Sequence, residues 1–163
     1  MNLKSFLLAA TVTVTLFSCR DIREGTADYA IIPLPQHTEV TPQTKPFILD
    51  KEPSLLLPKW QWNEDHCRIP ERYINECTGY TLATSTEATK NYITLNIDKS
   101  NKNPEGYRLA VSSDGITITG GSHAGVFYGV QTLRKASTVE ASDKIAFQQT
   151  NIEDYPRLAY RGM

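Results

Sequence analysis

The strongest constraint on the fold is a change of hydrophobic period within residues 92–137. From Tyr92 to Asp98, apolar and polar residues alternate, which is the period of a strand with one buried face. From Ser122 to about Ser137, apolar residues recur at spacings of three and four, which is the period of a helix that faces a core. These apolar helix residues are Val126, Phe127, Val130 and Leu133. The two patterns together predict a sheet covered by a helix.

A hairpin is predicted between these two segments. Asp114-Gly115 is a strong signal for a two-residue hairpin turn, and short apolar runs flank it on both sides. A loop of two residues here pairs Val111 with Ile118 and puts the apolar side chains of both strands on one face. Those side chains are Leu109, Val111, Ile116 and Ile118.

Four glycines mark the transition from hairpin to helix. Gly120 and Gly121 end the hairpin, and Ser122 is a suitable N-cap residue for the helix that follows. Gly125 and Gly129 lie inside the helix, where a glycine costs about 1 kcal/mol relative to alanine. We therefore expect these two glycines to let the helix approach the sheet closely.

Shorter patterns complete the expected domain. Short strands are predicted around His37–Thr41 and Pro46–Leu49, and a last strand over about Ile145–Ile152. A second helix is predicted over Pro70–Thr78, with proline in its first turn and Gly79 as its terminator. The fold class that follows is α+β, a largely antiparallel sheet with two helices packed on one face.

Residues 1–18 are predicted to be a signal peptide that precedes this domain. The apolar run over residues 6–17 is too short to span about 30 Å of hydrocarbon as a helix. Leu16-Phe17-Ser18-Cys19 is similar to a bacterial lipobox, which implies a lipoprotein signal and acylation of Cys19. Phe17 departs from the lipobox pattern, because a small residue is commoner there. A simple secretory signal and a buried strand are the alternatives.

The expected location of the protein follows from this signal. Residues 19–30 are polar and charged, and we expect them to form a tether between the anchor and the domain. The chain is then held by lipid in the bacterial cell envelope, on the periplasmic side or on the outer surface. Nucleic acid is excluded as a partner, because 17 basic residues are balanced by 18 acidic residues.

No catalytic, metal or cofactor site is predicted from the residues themselves. The histidines His37, His66 and His123 lie far apart in the sequence without partners at ligand spacing. The acidic pairs Glu64-Asp65 and Glu153-Asp154 lie in polar contexts, where carboxylates are usually solvated. Two further cysteines are interpreted as buried thiols, because a disulfide between them requires that a helix carrying both be interrupted, for which Pro70 is the candidate. These cysteines are Cys67 and Cys77.

Five motifs in order resemble a known family. They are Ile32-Pro33-Leu34-Pro35-Gln36, Pro104-Glu105-Gly106-Tyr107-Arg108-Leu109, Gly115-Ile116-Thr117-Ile118-Thr119-Gly120, Ala124-Gly125-Val126-Phe127-Tyr128-Gly129-Val130-Gln131-Thr132-Leu133, and Asp154-Tyr155-Pro156-Arg157 with Tyr160-Arg161-Gly162. With these motifs the chain resembles the N-terminal domain of β-N-acetylhexosaminidases of glycoside hydrolase family 20. The resemblance assigns residues 31–152 to that domain and residues 153–163 to the start of a (β/α)₈ catalytic barrel.

The resemblance implies a division of labour between two domains. In the family, the barrel removes terminal N-acetylhexosamine from glycans by substrate-assisted retaining hydrolysis that depends on an Asp-Glu pair. This sequence contains no Asp-Glu dipeptide, so we expect the chain to lack the barrel and to be inactive alone. Arg161 matches a family arginine that donates hydrogen bonds to hydroxyls of the terminal sugar. The alternative is a stand-alone surface lipoprotein that binds a glycan or a protein without catalysis.

Overall fold

The computed structural model describes residues 24–49, 53–56, 72, 75, 82–85, 87, 90–137 and 144–158. Its strands in chain order are β1 (Glu24–Thr26), β2 (His37–Val40), β3 (Phe47–Leu49), β4 (Ser54–Leu56), β5 (Ala83–Ser85), β6 (Tyr92–Ile97), β7 (Tyr107–Val111), β8 (Gly115–Gly120), β9 (Lys144–Phe147) and β10 (Thr150–Asp154). The helix α1 (His123–Ala136) follows β8.

The larger sheet has seven strands in the order β2-β10-β7-β8-β6-β4-β5. Three neighbouring pairs are antiparallel, from β2 to β8, and the three pairs from β8 to β5 are parallel. The expected largely antiparallel sheet is therefore wrong, and the sheet is mixed. The alternation of apolar residues reports which face of a strand is buried, but it carries no information on strand direction.

The smaller sheet has the order β1-β9-β3 and corrects two expectations. Glu24–Thr26 pairs in parallel with β9, and Ala27 and Tyr29 are buried, so residues 24–30 belong to the folded domain rather than to a tether. The single last strand over 145–152 is in fact two strands, because the chain passes from β9 in the small sheet to β10 in the large one. The tether was expected because residues 19–30 are polar and lack apolar periodicity, and the single last strand because one sheet was assumed.

The core lies between α1 and one face of the large sheet. Val126 and Val130 on the helix are buried, as are Ile93 and Leu95 on β6, so the predicted helix and strand are confirmed. The side chain of Ser122 accepts a hydrogen bond from the Ala124 backbone N–H at 3.1 Å, which confirms its role as N-cap. The other core residues of strands β7, β8 and β10 include Leu109, Ile116, Ile118 and Ile152.

The glycines of α1 allow the close approach expected from the sequence. A Cβ on Gly125 would lie 2.3 Å from the carbonyl oxygen of Gly106, and a Cβ on Gly129 would lie 2.5 Å from Cγ2 of Ile118. Both distances are far below van der Waals contact. A side chain at either position therefore forces the helix away from the sheet.

The β7–β8 hairpin turns one residue earlier than predicted. Val111 pairs with Ile116 and not with Ile118, and the turn residues are Ser113 and Asp114. The hydroxyl of Ser112 closes this turn by donating to the Gly115 carbonyl oxygen at 3.0 Å. The partner of Val111 differs from the predicted partner by two residues. The apolar side chains of both strands therefore still lie on one face of the sheet, as predicted.

Gly115 serves packing rather than the turn. A Cβ there would lie 2.6–2.7 Å from the backbone and ring of Tyr92 on the neighbouring strand. Gly115 is the first residue of β8, where only a glycine fits against Tyr92. The Asp-Gly signal therefore predicted the loop one residue too late.

Two expected segments lie outside the described residues. The signal peptide over residues 1–18 is one of them. The second helix over 70–78 is the other, apart from Arg72 and Asn75, which are both helical and exposed.

Candidate functional site

Three segments of the domain surround a pocket of about 540 Å³. One wall is the extended segment 31–36, a second is one face of α1, and a third is the chain that follows β10. The helix wall is formed by residues at positions i, i+3, i+4 and i+7, which share one face of a helix. These residues are Tyr128, Gln131, Thr132 and Lys135.

The helix thus presents two faces with different roles. Val126, Val130 and Leu133 face the sheet, whereas the stripe from Tyr128 to Lys135 faces the pocket. The period of the apolar residues predicts the first face but not the second. The aromatic and polar residues of the second face also recur at spacings of three and four. This spacing is the sequence signal that identifies the second face.

Hydrogen bonds hold the extended segment against the rest of the domain. The ammonium of Lys135 donates to the Ile32 carbonyl oxygen at 2.7 Å. At the other end, the Gln36 backbone N–H donates to Oδ1 of Asp154 at 3.2 Å, and Nε2 of Gln36 donates to the Tyr155 carbonyl oxygen at 3.4 Å. Pro33 and Pro35 keep the segment out of a helix. The walls of the pocket are therefore connected to one another.

The tyrosine at the base of the pocket is a neutral group. Tyr107 is 4% exposed, and its hydroxyl shares a hydrogen bond with Oγ1 of Thr132. Burial, opposed by the hydrogen bond to Thr132 and supported by the negative charge of Asp154, raises the pKa of Tyr107 to about 12. A phenol with this pKa is not a base or a nucleophile near neutral pH.

An amide at the pocket lacks a partner in the described part of the chain. Nε2 of Gln131 is buried without an acceptor among the described residues. A buried donor without a partner costs about 1–3 kcal/mol.

The charges that line the pocket are balanced. Glu105 and Asp154 are acidic, and Lys135 and Arg157 are basic. Among the described residues, no group of three or more histidine, cysteine, aspartate or glutamate side chains is arranged to hold a metal ion. The described lining of the pocket therefore carries no net charge.

The Glu153-Asp154 pair divides between the two faces of β10. Asp154 lines the pocket, whereas Glu153 is exposed and its carboxylate lies 3.4 Å from the guanidinium of Arg108. Successive residues of a strand point to opposite faces, so these two carboxylates do not act on one substrate. His37 pairs across the sheet with Glu153 and is exposed, and His123 begins α1.

Several residues considered in the sequence lie outside the described part of the chain. They are Cys19, Glu64, Asp65, His66, Cys67, Cys77 and Arg161. Within the described residues, no helix combines the length and the apolar character needed to cross a bilayer.

Two curated relatives are similar in sequence to part of this chain. The beta-hexosaminidase of Vibrio vulnificus is 46% identical over 71 residues, which are 44% of this chain and 8% of that protein. The beta-hexosaminidase of Porphyromonas gingivalis is 39% identical over 64 residues, which are 36% of this chain and 8% of that protein. The chain thus matches only a small part of these curated relatives.

Solved structures extend the similarity over most of the chain. An N-acetyl-β-hexosaminidase from Streptomyces plicatus aligns with a TM-score of 0.62 and 27% identity, over 80% of this chain and 27% of that chain. A family 20 exo β-N-acetylglucosaminidase from Vibrio harveyi has the same fold, with a TM-score of 0.67 and 22% identity, over 85% of this chain and 21% of that chain.

The family assignment rests on the broadest sequence match. The sequence profile described as glycosyl hydrolase family 20, domain 2, matches residues 28–155. These residues run from the chain that follows β1 to the pocket wall that follows β10, and they include α1 and the whole described part of the large sheet. This chain belongs to glycosyl hydrolase family 20 through its domain 2.

Proposed function

We propose that this chain is the accessory N-terminal domain of an exo-acting β-N-acetylhexosaminidase. The observation that carries the proposal is the family match over residues 28–155, in a chain whose curated relatives are named beta-hexosaminidases. In this proposal, hydrolysis belongs to a barrel domain of the same polypeptide.

The proposed chemistry follows the family resemblance. A glutamic acid of the barrel protonates the leaving-group oxygen, and a neighbouring aspartate orients the acetamido group of the substrate. That acetamido group attacks the anomeric carbon, which makes the hydrolysis substrate-assisted and retaining. No Asp-Glu dipeptide occurs in these 163 residues, so the pair has to come from another part of the enzyme.

Arg161 is the proposed contribution of this chain to substrate binding. Its guanidinium is a rigid fork of N–H donors, which suits the paired hydroxyls of a terminal sugar. The residue follows the family match by only a few positions, where the resemblance places the first barrel strand.

Lipid anchoring through Cys19 is the second part of the proposal. The folded domain begins by Glu24, so only residues 20–23 separate the acylated cysteine from β1. An extended chain spans at most about 3.6 Å per residue, so the anchor holds β1 within about 18 Å of the lipid. The enzyme then acts close to the surface of a membrane in the bacterial cell envelope.

The gene provides the simplest test of this proposal. The reading frame after codon 163 is expected to continue into repeated strand and helix patterns that contain an Asp-Glu pair. A frame that stops at once, in every strain that carries the gene, contradicts the proposal. That result favours the alternative of a stand-alone lipoprotein that binds a glycan or a protein.

A further inference from the structure

The small sheet has one face inside the domain and one face that the described residues leave open to solvent. Its inner face carries large apolar side chains that are at most 2% exposed: Phe47, Leu49, Ile145 and Phe147. Successive residues of a strand point to opposite faces, so the side chains between these point outward. Of the seven large apolar side chains that are exposed in the described part of the chain, Ile48 is the one that belongs to this sheet.

Four residues form the outer face of the small sheet. Thr26 of β1 pairs with Ala146 of β9, and Ala146 pairs with Ile48 of β3, so these three residues form one row across the sheet. Lys144 lies two residues before Ala146, half-buried and on the same face of β9. We call these four residues the outer patch. It combines a branched apolar side chain with a hydroxyl and an ammonium group.

The outer patch has the chemistry of a surface that lies on lipid. In proteins that bind a bilayer from one side, apolar side chains enter the boundary between headgroups and acyl chains. The alkyl stem of a lysine can lie along such an apolar surface while its ammonium group is attracted to anionic headgroups. Ile48 and Lys144 supply one side chain of each kind. One of each gives weak binding, so the outer patch needs a second attachment to stay at a membrane.

The proposed lipid anchor is connected to this same sheet. Residues 20–23 separate Cys19 from β1, which is an edge strand of the small sheet, so Glu24 stays within about 18 Å of the acylated cysteine. The parallel pairing of Glu24 with Lys144 puts the first residue of β9 at the end of the sheet where the connection enters. A short connection of this kind holds a weakly binding surface beside the membrane at high effective concentration.

We propose that the outer patch rests on the phospholipid surface to which Cys19 is attached. Ile48 enters the headgroup region, and the ammonium of Lys144 faces the phosphates. The domain is therefore held in one orientation on the membrane rather than turning freely about its connection. The proposal rests on the lipid anchoring in the proposed function, because without the anchor nothing keeps the patch at a membrane.

Hydroxyl-radical footprinting tests the contact with lipid. The acylated gene product is reconstituted on the outside of vesicles of phosphatidylethanolamine and phosphatidylglycerol, and Cys19→Ala protein is mixed with the same vesicles. We expect the oxidation rate of Ile48 to be several-fold lower in the acylated protein. The matched control is Val40, which is also 41% exposed but lies on β2 of the large sheet, and which should react equally in both.

A substitution separates the contact from the anchor. Ile48→Asp leaves Cys19 in place, so the variant stays on the vesicles, but its carboxylate opposes insertion among anionic headgroups. Modification of Lys144 by an amine reagent that does not cross membranes should be several-fold faster in this variant than in the acylated parent. Val40→Asp, the control variant, should leave that rate unchanged. If Ile48→Asp does not fold, Ile48→Thr replaces it, because threonine keeps the β-branched shape that suits a strand.

The outcomes separate this proposal from the anchoring on which it rests. Acylated protein that is bound to vesicles but shows equal oxidation of Ile48 in the two forms overturns the lipid contact and leaves the anchoring intact. Protection of Ile48 that rises with the ratio of protein to lipid also overturns it, since a second copy of the chain then covers the patch. A gene product without an acyl group on Cys19 overturns both the anchoring and the contact.

Discussion

The substitution Gly125→Ala tests the close packing of α1 on the large sheet. A Cβ at this position would lie 2.3 Å from the carbonyl oxygen of Gly106 and 3.2 Å from its carbonyl carbon. That oxygen also accepts a hydrogen bond from the Gly121 N–H at 2.9 Å. Because the obstacle is backbone rather than a flexible side chain, the helix end or the hydrogen-bonded loop has to move.

Two effects of opposite sign determine the magnitude. Alanine favours a helix over glycine by about 1 kcal/mol, which stabilises the variant. Overpacking in a well-packed interior costs about 1–3 kcal/mol and occasionally more, and a backbone obstacle places Gly125 at the upper end. We therefore expect a net loss of about 2 kcal/mol in the free energy of unfolding.

Urea denaturation of the 163-residue chain measures this loss. The midpoint should fall while the slope stays constant, since the surface exposed on unfolding is unchanged. Ala124→Gly is the matched control, because Ala124 is exposed on the same helix and the change should cost at most about 1 kcal/mol. A Gly125→Ala variant as stable as the parent, or more stable, refutes the argument from close approach.

Gly129→Leu tests the same packing four residues after Gly125, at the centre of α1. There the obstacles are side chains, Cγ2 of Ile118 at 2.5 Å and the ring of Tyr107 at 3.1 Å. A leucine is much larger than the available space, so a loss of about 1–3 kcal/mol is expected. Unchanged or increased stability in the denaturant titration contradicts this expectation.

Three further predictions concern ionisation, anchoring and substrate binding. The pKa of Tyr107 is about 12 in the folded state against an ordinary value of 10.0. Tyr107 therefore stabilises the fold fully below pH 10, and this stabilisation is lost as the pH rises from 10 to about 12. A shift of two pKa units corresponds to about 2–3 kcal/mol in the free energy of unfolding. The loss of stability at alkaline pH should therefore be smaller in Tyr107→Phe than in the parent protein. An equal loss in the two proteins contradicts this prediction. Cys19→Ala should release the protein from the membrane, and mass spectrometry that finds an unmodified N-terminus at another residue of the parent excludes acylation. In the full-length enzyme, Arg161→Ala should lower kcat/KM strongly, because sugar hydroxyls lose a donor in a closed site, and normal kinetics refute the assignment.

The sequence predicted those parts of the fold that depend on local patterns. The period of Tyr92–Ile97, the N-cap at Ser122 and the close approach of Gly125 all follow from neighbouring residues, and the structure confirms them. Strand direction depends on which segments meet across the sheet. For this reason the parallel pairing of β6 with β8 was not visible in the sequence.

The errors at the two ends of the domain have a similar cause. Glu24–Thr26 shows no alternation of apolar and polar residues. It forms a strand because it pairs with β9, which lies about 120 residues later in the chain. The pocket was missed because it requires segments 31–36 and 154–157 to come together around one face of α1. Each segment alone shows only a family motif in the sequence.

The turnover of an aryl N-acetyl-β-hexosaminide tests the division of labour most directly. The full-length gene product and the purified 163-residue chain are assayed side by side at matched molar concentrations. We expect hydrolysis by the full-length protein and no turnover by the 163-residue chain, because the sequence of that chain contains no Asp-Glu pair to act as acid and as orienting group. Hydrolysis by the 163-residue chain, or a full-length protein that does not hydrolyse the substrate, contradicts the assignment of this domain as an accessory to a hexosaminidase.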